Sequence, residues 1–150
     1  MFAIIFTLFL SSMILAVDRN LNKTDLKCVG HAFHNVSLSA YYPIFGTNDK
    51  QNHLDERGKM LNTLQDYLDD RTHYVTVAGN LRSGISYGTK ICIEKLNERF
   101  GQHILLEIRD QIDCENDNVL KNDFSRLEIC VRTEEDTYDT YVNDIVTIYV

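Results

Sequence analysis

The sequence predicts a mainly β fold, a six-stranded barrel with one or two short helices. Two observations lead there: six short segments enriched in β-branched and aromatic residues, and two helix-sized stretches set among them. The chain has 150 residues, enough for one domain with its own core and too few for two of ordinary size. A hydrophobic fraction of 44% with 25% charged residues excludes a disordered or fibrous chain.

Taken in order, the strand segments are VSLSAYY (36–42), HYVTVAG (73–79), KICI (90–93), HILLEIRD (103–110), SRLEICV (125–131) and DIVTIYV (144–150). In NTLQDYLDD, Thr63 is placed to cap a helix with Asp66 three residues on, and Leu64, Tyr67 and Leu68 share one face. In IEKLNERFG, Leu96 and Phe100 stand four apart, and Gly101 follows where a helix stops. The SYGT turn leads into KICI, with Gly88 supplying a backbone angle that other residues dislike. The single proline, Pro43, and the lack of repeats give no sign of a linker.

The first sixteen residues, MFAIIFTLFLSSMILA, are apolar but short for a membrane span and read as a signal peptide cleaved after Ala16. A retained signal anchor is the alternative. Residues 17–35 then form a short polar leader and residues 36–150 the barrel domain, with no membrane span left after cleavage. Two glycosylation sequons, at Asn22 and Asn35, fit a secreted, extracellular chain. The cysteines, Cys28, Cys92, Cys114 and Cys130, include no CxxC pair; in an exported chain they predict two disulfides, with three pairings open.

A net charge of -7 argues against nucleic acid and anionic membrane surfaces as partners and leaves neutral or cationic ligands open. The acidic residues crowd into 110–123 and 134–144, where solvated loops are the ordinary explanation. The five histidines have no tight metal spacing, and no GxSxG, Walker or GxGxxG signature is present, so no metal or cofactor is expected.

The segments LDERGKMLNTLQDYLDDRTHYVTVAGN, SYGTKICIEKLNERFG, ILLEIRD, SRLEICV and TYDTYVNDIVTIYV, in that order, resemble the RlpA-like double-psi β-barrel family, in the branch related to the three-aspartate domain of cell-wall lytic enzymes. The resemblance covers about residues 36–150 and implies a double-psi barrel that acts on or binds peptidoglycan-like glycans. The family's three aspartates fall on Asn80, Asp110 and Glu128, so one is kept as aspartate. The family's glycine-rich loop is replaced by a longer stretch after Asp110 that has no glycine and contains Cys114.

Asp110 is thereby the candidate acid, protonating a glycosidic oxygen and accepting a proton as an anhydro ring closes. Glu128 is the candidate second carboxylate and Asn80 a hydrogen-bonding residue that exchanges no proton. Each has a plainer role: Asp110 accepting N–H groups in the turn that ends its strand, and Glu128 facing water between two apolar neighbours. Tyr41, Tyr42, Tyr74 and Tyr87 offer flat faces for sugar stacking or simply fill the rim of the barrel. The expected function is a secreted barrel binding cell-wall or matrix polysaccharide with little or no catalysis. A glycan-cleaving, lytic-transglycosylase-like enzyme using Asp110 and a secreted scaffold or effector that binds another extracellular protein are the alternatives.

Overall fold

The computed structural model describes residues 26–46, 50–113 and 121–150. The expected signal peptide, Asn22 and Cys114 lie outside the described residues, as do residues 17–25 of the expected leader. Six strands and two short helices occur in the order β1 (Ala32–Tyr41), α1 (Leu64–Leu68), β2 (Val75–Gly79), β3 (Thr89–Ile91), α2 (Glu94–Phe100), β4 (Leu106–Gln111), β5 (Arg126–Cys130) and β6 (Asp144–Tyr149), with short 3-10 turns between them. They form one mixed, curled sheet in the order β3-β4-β2-β5-β1-β6. The pairs β1/β5 and β2/β4 are parallel; β1/β6, β2/β5 and β3/β4 are antiparallel. An isolated antiparallel bridge between Cys92 and Tyr149, with N···O distances of 2.9 and 3.0 Å, draws the two sheet edges together into a half-barrel.

The local chemistry explains the elements. Strands β1 and β6 alternate, with Val36, Leu38, Val146 and Ile148 in the core and Ser37 and Ile145 outward, because one face of each meets water. Central β2 is buried at all five positions, as a strand covered on both faces must be. Thr63 caps α1: its hydroxyl oxygen accepts from Asp66 N at 3.1 Å and its O–H donates to the Asp66 carboxylate at 2.8 Å. Gly101 ends α2 at φ 65°, in the left-handed region.

Strand β1 begins at Ala32, four residues before the segment VSLSAYY read from the sequence. Ala32 and Phe33 pair with Tyr149 and Ile148, and the register then slips by one residue before Val36 meets Val146. The extra residue is absorbed in a bulge where Asn35 adopts φ 57°, a conformation asparagine tolerates. His31 continues the pairing with Val150 through two backbone bonds of 2.9 and 3.0 Å. Just before it, Cys28 is joined to Cys92, a link across a sequence separation of 64 residues. Chain-entropy arguments put the stabilisation from closing such a loop at about 4 kcal/mol.

The expectation of two disulfides that include Cys130 is corrected. Cys130 is a free thiol, fully buried in β5, where it stands opposite Tyr41 of β1 and its S–H faces Val131 O at 4.0 Å. Burial pushes its pKa up, so it is held as an inert thiol.

One buried polar group that the sequence reading overlooks braces the disulfide end. Asn97, fully buried in α2, accepts from Ile104 N at 2.9 Å and donates to Leu26 O at 3.2 Å and Cys92 Sγ at 3.3 Å.

Two outcomes follow. In alkylation of the denatured, unreduced protein, the Cys130 peptide is expected to label and the Cys28 and Cys92 peptides to stay protected, while native Cys130 stays unlabelled. Gly79→Ala would set a methyl 3.0 Å from Ile108 Cγ2 and 3.1 Å from Leu127 Cδ2. Overpacking of that kind costs about 1–3 kcal/mol, readable as a lowered denaturant midpoint with an unchanged m-value.

Candidate functional site

The floor of the candidate cleft is built by strand register. Within the parallel β2/β4 pair, Val77 lies opposite Ile108, but the next residue, Ala78, lies opposite Asp110, so Arg109 is skipped. On its other side Ala78 pairs with Glu128 of β5, which in turn pairs with Ser39 of β1. Asp110, Ala78, Glu128 and Ser39 therefore form one row across four strands. With strands spaced about 4.8 Å apart, the backbones of Asp110 and Glu128 are roughly 10 Å apart, separated by one small side chain.

Above this row lies a cleft of about 760 Å³. Tyr41 and Tyr42 line one side at the end of β1; the segment from Asn52 to Leu61 provides the opposite wall through Leu54, Asp55, Glu56 and Gly58; Gln111 and Asp113 complete it beyond β4. Among the described residues five carboxylates border the cleft, those of Asp55, Glu56, Asp110, Asp113 and Glu128, and no lysine or arginine lines it. Among the described residues no group of three histidine, cysteine or acidic side chains is arranged to hold a metal ion.

Asp110 is half-buried and sits inside β4, so it does not end the strand. Its Oδ2 accepts from the Tyr41 hydroxyl at 3.1 Å and its Oδ1 from Gln111 N at 3.0 Å. Burial raises its pKa above the ordinary carboxylate range; the two hydrogen bonds oppose the rise, and the negative charges of Asp55 and Glu56 add to it. Tyr41 is pushed up in turn, chiefly by burial, so its phenol stays protonated as the donor. Glu128 does not face open water: it is half-buried at the cleft and pairs with Arg126 Nη2 at 2.6 Å.

Of the residues singled out in the sequence, Tyr41, Tyr42, Asp110 and Glu128 meet at this cleft. Asn80 and Tyr87 are not among its lining residues. Asn80 is buried at the N-terminus of the 3-10 turn Leu81–Ser83, where its backbone carbonyl accepts from Ser83 and its Oδ1 has no partner among the described residues. Tyr87 donates to Asp55 Oδ2 at 2.6 Å, and Tyr74 lies under the guanidinium of Arg109, 4.2 Å from its ring centre. Asn35 is exposed on its bulge.

The sequence reading missed Asp55, Glu56 and Asp113. A signal for Asp55 existed in LDERGK, an aspartate followed three residues later by glycine, the mark of a side chain that folds a turn around itself. Its Oδ1 indeed accepts from Arg57 N and Lys59 N, both at 2.9 Å. Among the described residues no helix is long and apolar enough to cross a membrane. The chain matches no protein-family model, no curated protein and no solved structure.

Because the Tyr41 hydroxyl stabilises the ionised form of Asp110, Tyr41→Phe is expected to raise the Asp110 pKa further, read by NMR titration of the carboxyl carbon. A carboxyl whose folded pKa exceeds its unfolded value costs stability once ionised, and that cost fades as pH falls toward the unfolded pKa. Asp110→Asn should therefore gain stability over wild type near pH 7 and lose that gain toward pH 3 to 4, near the ordinary carboxylate pKa.

Proposed function

We propose that this is an exported, RlpA-like double-psi barrel that binds a neutral or cationic cell-wall or matrix polysaccharide in the cleft above Asp110 and Glu128. The carrying observation is the row Asp110, Ala78, Glu128 on the cleft floor. A small residue between two half-buried carboxylates leaves width for a sugar ring, with strong hydrogen-bond acceptors for hydroxyl groups on both sides. Two parallel strand pairs within six strands require crossing connections and support the double-psi reading. The Cys28–Cys92 disulfide supports export, since such bonds persist in oxidising compartments.

Recognition in this reading runs through carboxylates more than aromatic stacking. Tyr41 holds its hydroxyl on Asp110, and Tyr87 is engaged by Asp55, which leaves Tyr42 as the aromatic face on the cleft. The charged groups described in the lining are all acidic and disfavour glycans rich in carboxylates or sulfates, whose charge would meet carboxylates at short range.

One observation favours a second reading, glycan cleavage. Burial shifts the Asp110 pKa upward, the direction that favours a general acid, and Glu128 supplies a second carboxylate on the same floor. Asp110 would give its proton to the leaving glycosidic oxygen, while Glu128 stabilises the positive charge that develops on the sugar. As ionised Asp110 takes a proton from the sugar's own hydroxyl, that oxygen closes an anhydro ring and the acid is regenerated.

Incubating the secreted protein with insoluble peptidoglycan, chitin and cellulose separates the readings. Retention on at least one, weakened about tenfold by Tyr42→Ala, with unchanged glycan ends by mass spectrometry, is the result expected for binding. New anhydro ends that fall on the order of a hundredfold or more in Asp110→Asn would establish cleavage. No retention and no cleavage on any of the three would overturn the glycan assignment.

A further inference from the structure

Tyr87 lies outside the cleft, yet its hydroxyl reaches the cleft's outer wall. Resting on the glycan-cleft reading, we infer that Tyr87 is a positioning residue: acting through Asp55, it fastens the 54–60 hairpin in place as the wall against which the ligand is held.

The hairpin has little to hold it by itself. Its strands meet at a single bridge, Leu54 to Met60, and Gly58 at its tip takes φ 76° in open space. A two-stranded turn of this length is not stable alone in water. Its internal order comes from Asp55, whose carboxylate folds the tip by accepting from Arg57 N and Lys59 N while Asp55 N bonds to Lys59 O at 2.7 Å. Asp55 is only 6% exposed as a residue, an arrangement that is expensive for an anion unless donors surround it.

The third donor comes from the barrel. The Tyr87 hydroxyl, in the turn before β3, donates to Asp55 Oδ2 at 2.6 Å, a short charge-assisted bond. Tyr87 is itself held: its oxygen accepts from Arg109 Nη1 at 3.0 Å, and Arg109 is anchored by Glu107 at 2.7 Å. The guanidinium of Arg57, on the hairpin, lies 4.1 Å from the centre of the Tyr87 ring. One backbone bond, Glu56 N to Arg109 O at 3.2 Å, also crosses from the hairpin to β4. Arg109 is the residue skipped in the β2/β4 register, so the same slip that turns Asp110 to the cleft leaves Arg109 free to brace the wall. Since Leu54, Asp55, Glu56 and Gly58 line the cleft, the position of the hairpin sets its width.

The test is Tyr87→Phe in the full secreted chain, which deletes one oxygen and keeps the ring. Three quantities are read: amide hydrogen exchange across 54–60, retention on peptidoglycan, chitin and cellulose, and the thermal midpoint. Exchange at Arg57 and Lys59 is expected to speed up about tenfold, as local opening would produce. Glycan affinity is expected to drop about tenfold, the scale of one charge-assisted hydrogen bond, with the midpoint nearly unchanged. Unaltered exchange would overturn the fastening, and faster exchange with unaltered affinity would overturn the role in ligand binding. If wild type binds none of the three glycans, the glycan assignment fails, and the exchange result alone decides whether Tyr87 fastens the hairpin. Arg57→Gln, which removes only the exposed guanidinium from the Tyr87 ring, provides the same readouts with a smaller effect should Tyr87→Phe fold poorly.

Discussion

The one-residue slip between β2 and β4 is the constraint on which the cleft depends. Up to Val77 the central strand is ordinary core, paired with Ile108 on one side and Ile129 on the other. In an unbroken strand Asp110, two residues after Ile108, would share its inward face and bring a carboxylate in among leucine and isoleucine side chains. Skipping Arg109 moves Asp110 into the Ala78 row, where a tyrosine hydroxyl and a backbone N–H receive its charge. Bulges of this kind re-aim a side chain at modest cost in ladder bonds.

A second feature of the cleft concerns charge. Among the described residues five carboxylates border it and no base lines it, and the three more deeply placed of them are met by donors. Asp55 accepts from three donors, Glu128 pairs with Arg126, and Asp110 accepts two hydrogen bonds. Arg109 and Arg57 stand just behind the wall, stacked on Tyr74 and Tyr87, so positive charge balances the site without occupying it. The result is a cleft with acceptors facing inward and donors committed elsewhere.

The opposite end of the sheet is fixed by covalent and backbone means. The disulfide joins the start of the described chain to Cys92, and Cys92 itself makes the bridge to Tyr149 that draws the sheet edges together. His31 and Val150 pair directly beside it. Asn97 satisfies groups around this joint that would otherwise be buried and unpaired. Rigidity is thus concentrated where the edges meet, and the more lightly tethered hairpin lies at the cleft.

Local chemistry made much of this legible from residues alone. The six strand segments, the Thr63 cap and the Gly101 stop all follow from side-chain preferences that act within a few residues, and each is present. Asp110 and Glu128 stand out in the sequence through the positions that the family resemblance assigns to its aspartates. What the sequence could not specify was pairing between distant segments. The early start of β1 depends on Tyr149 and Ile148, more than a hundred positions away in the chain; the fate of Cys130 depends on its burial opposite Tyr41; Tyr87 serves Asp55 because a turn and a hairpin meet across the sheet. Strand identity is a local property, but register is set by which long-range contacts bury the most apolar surface, and a single skipped residue decides which face a carboxylate occupies.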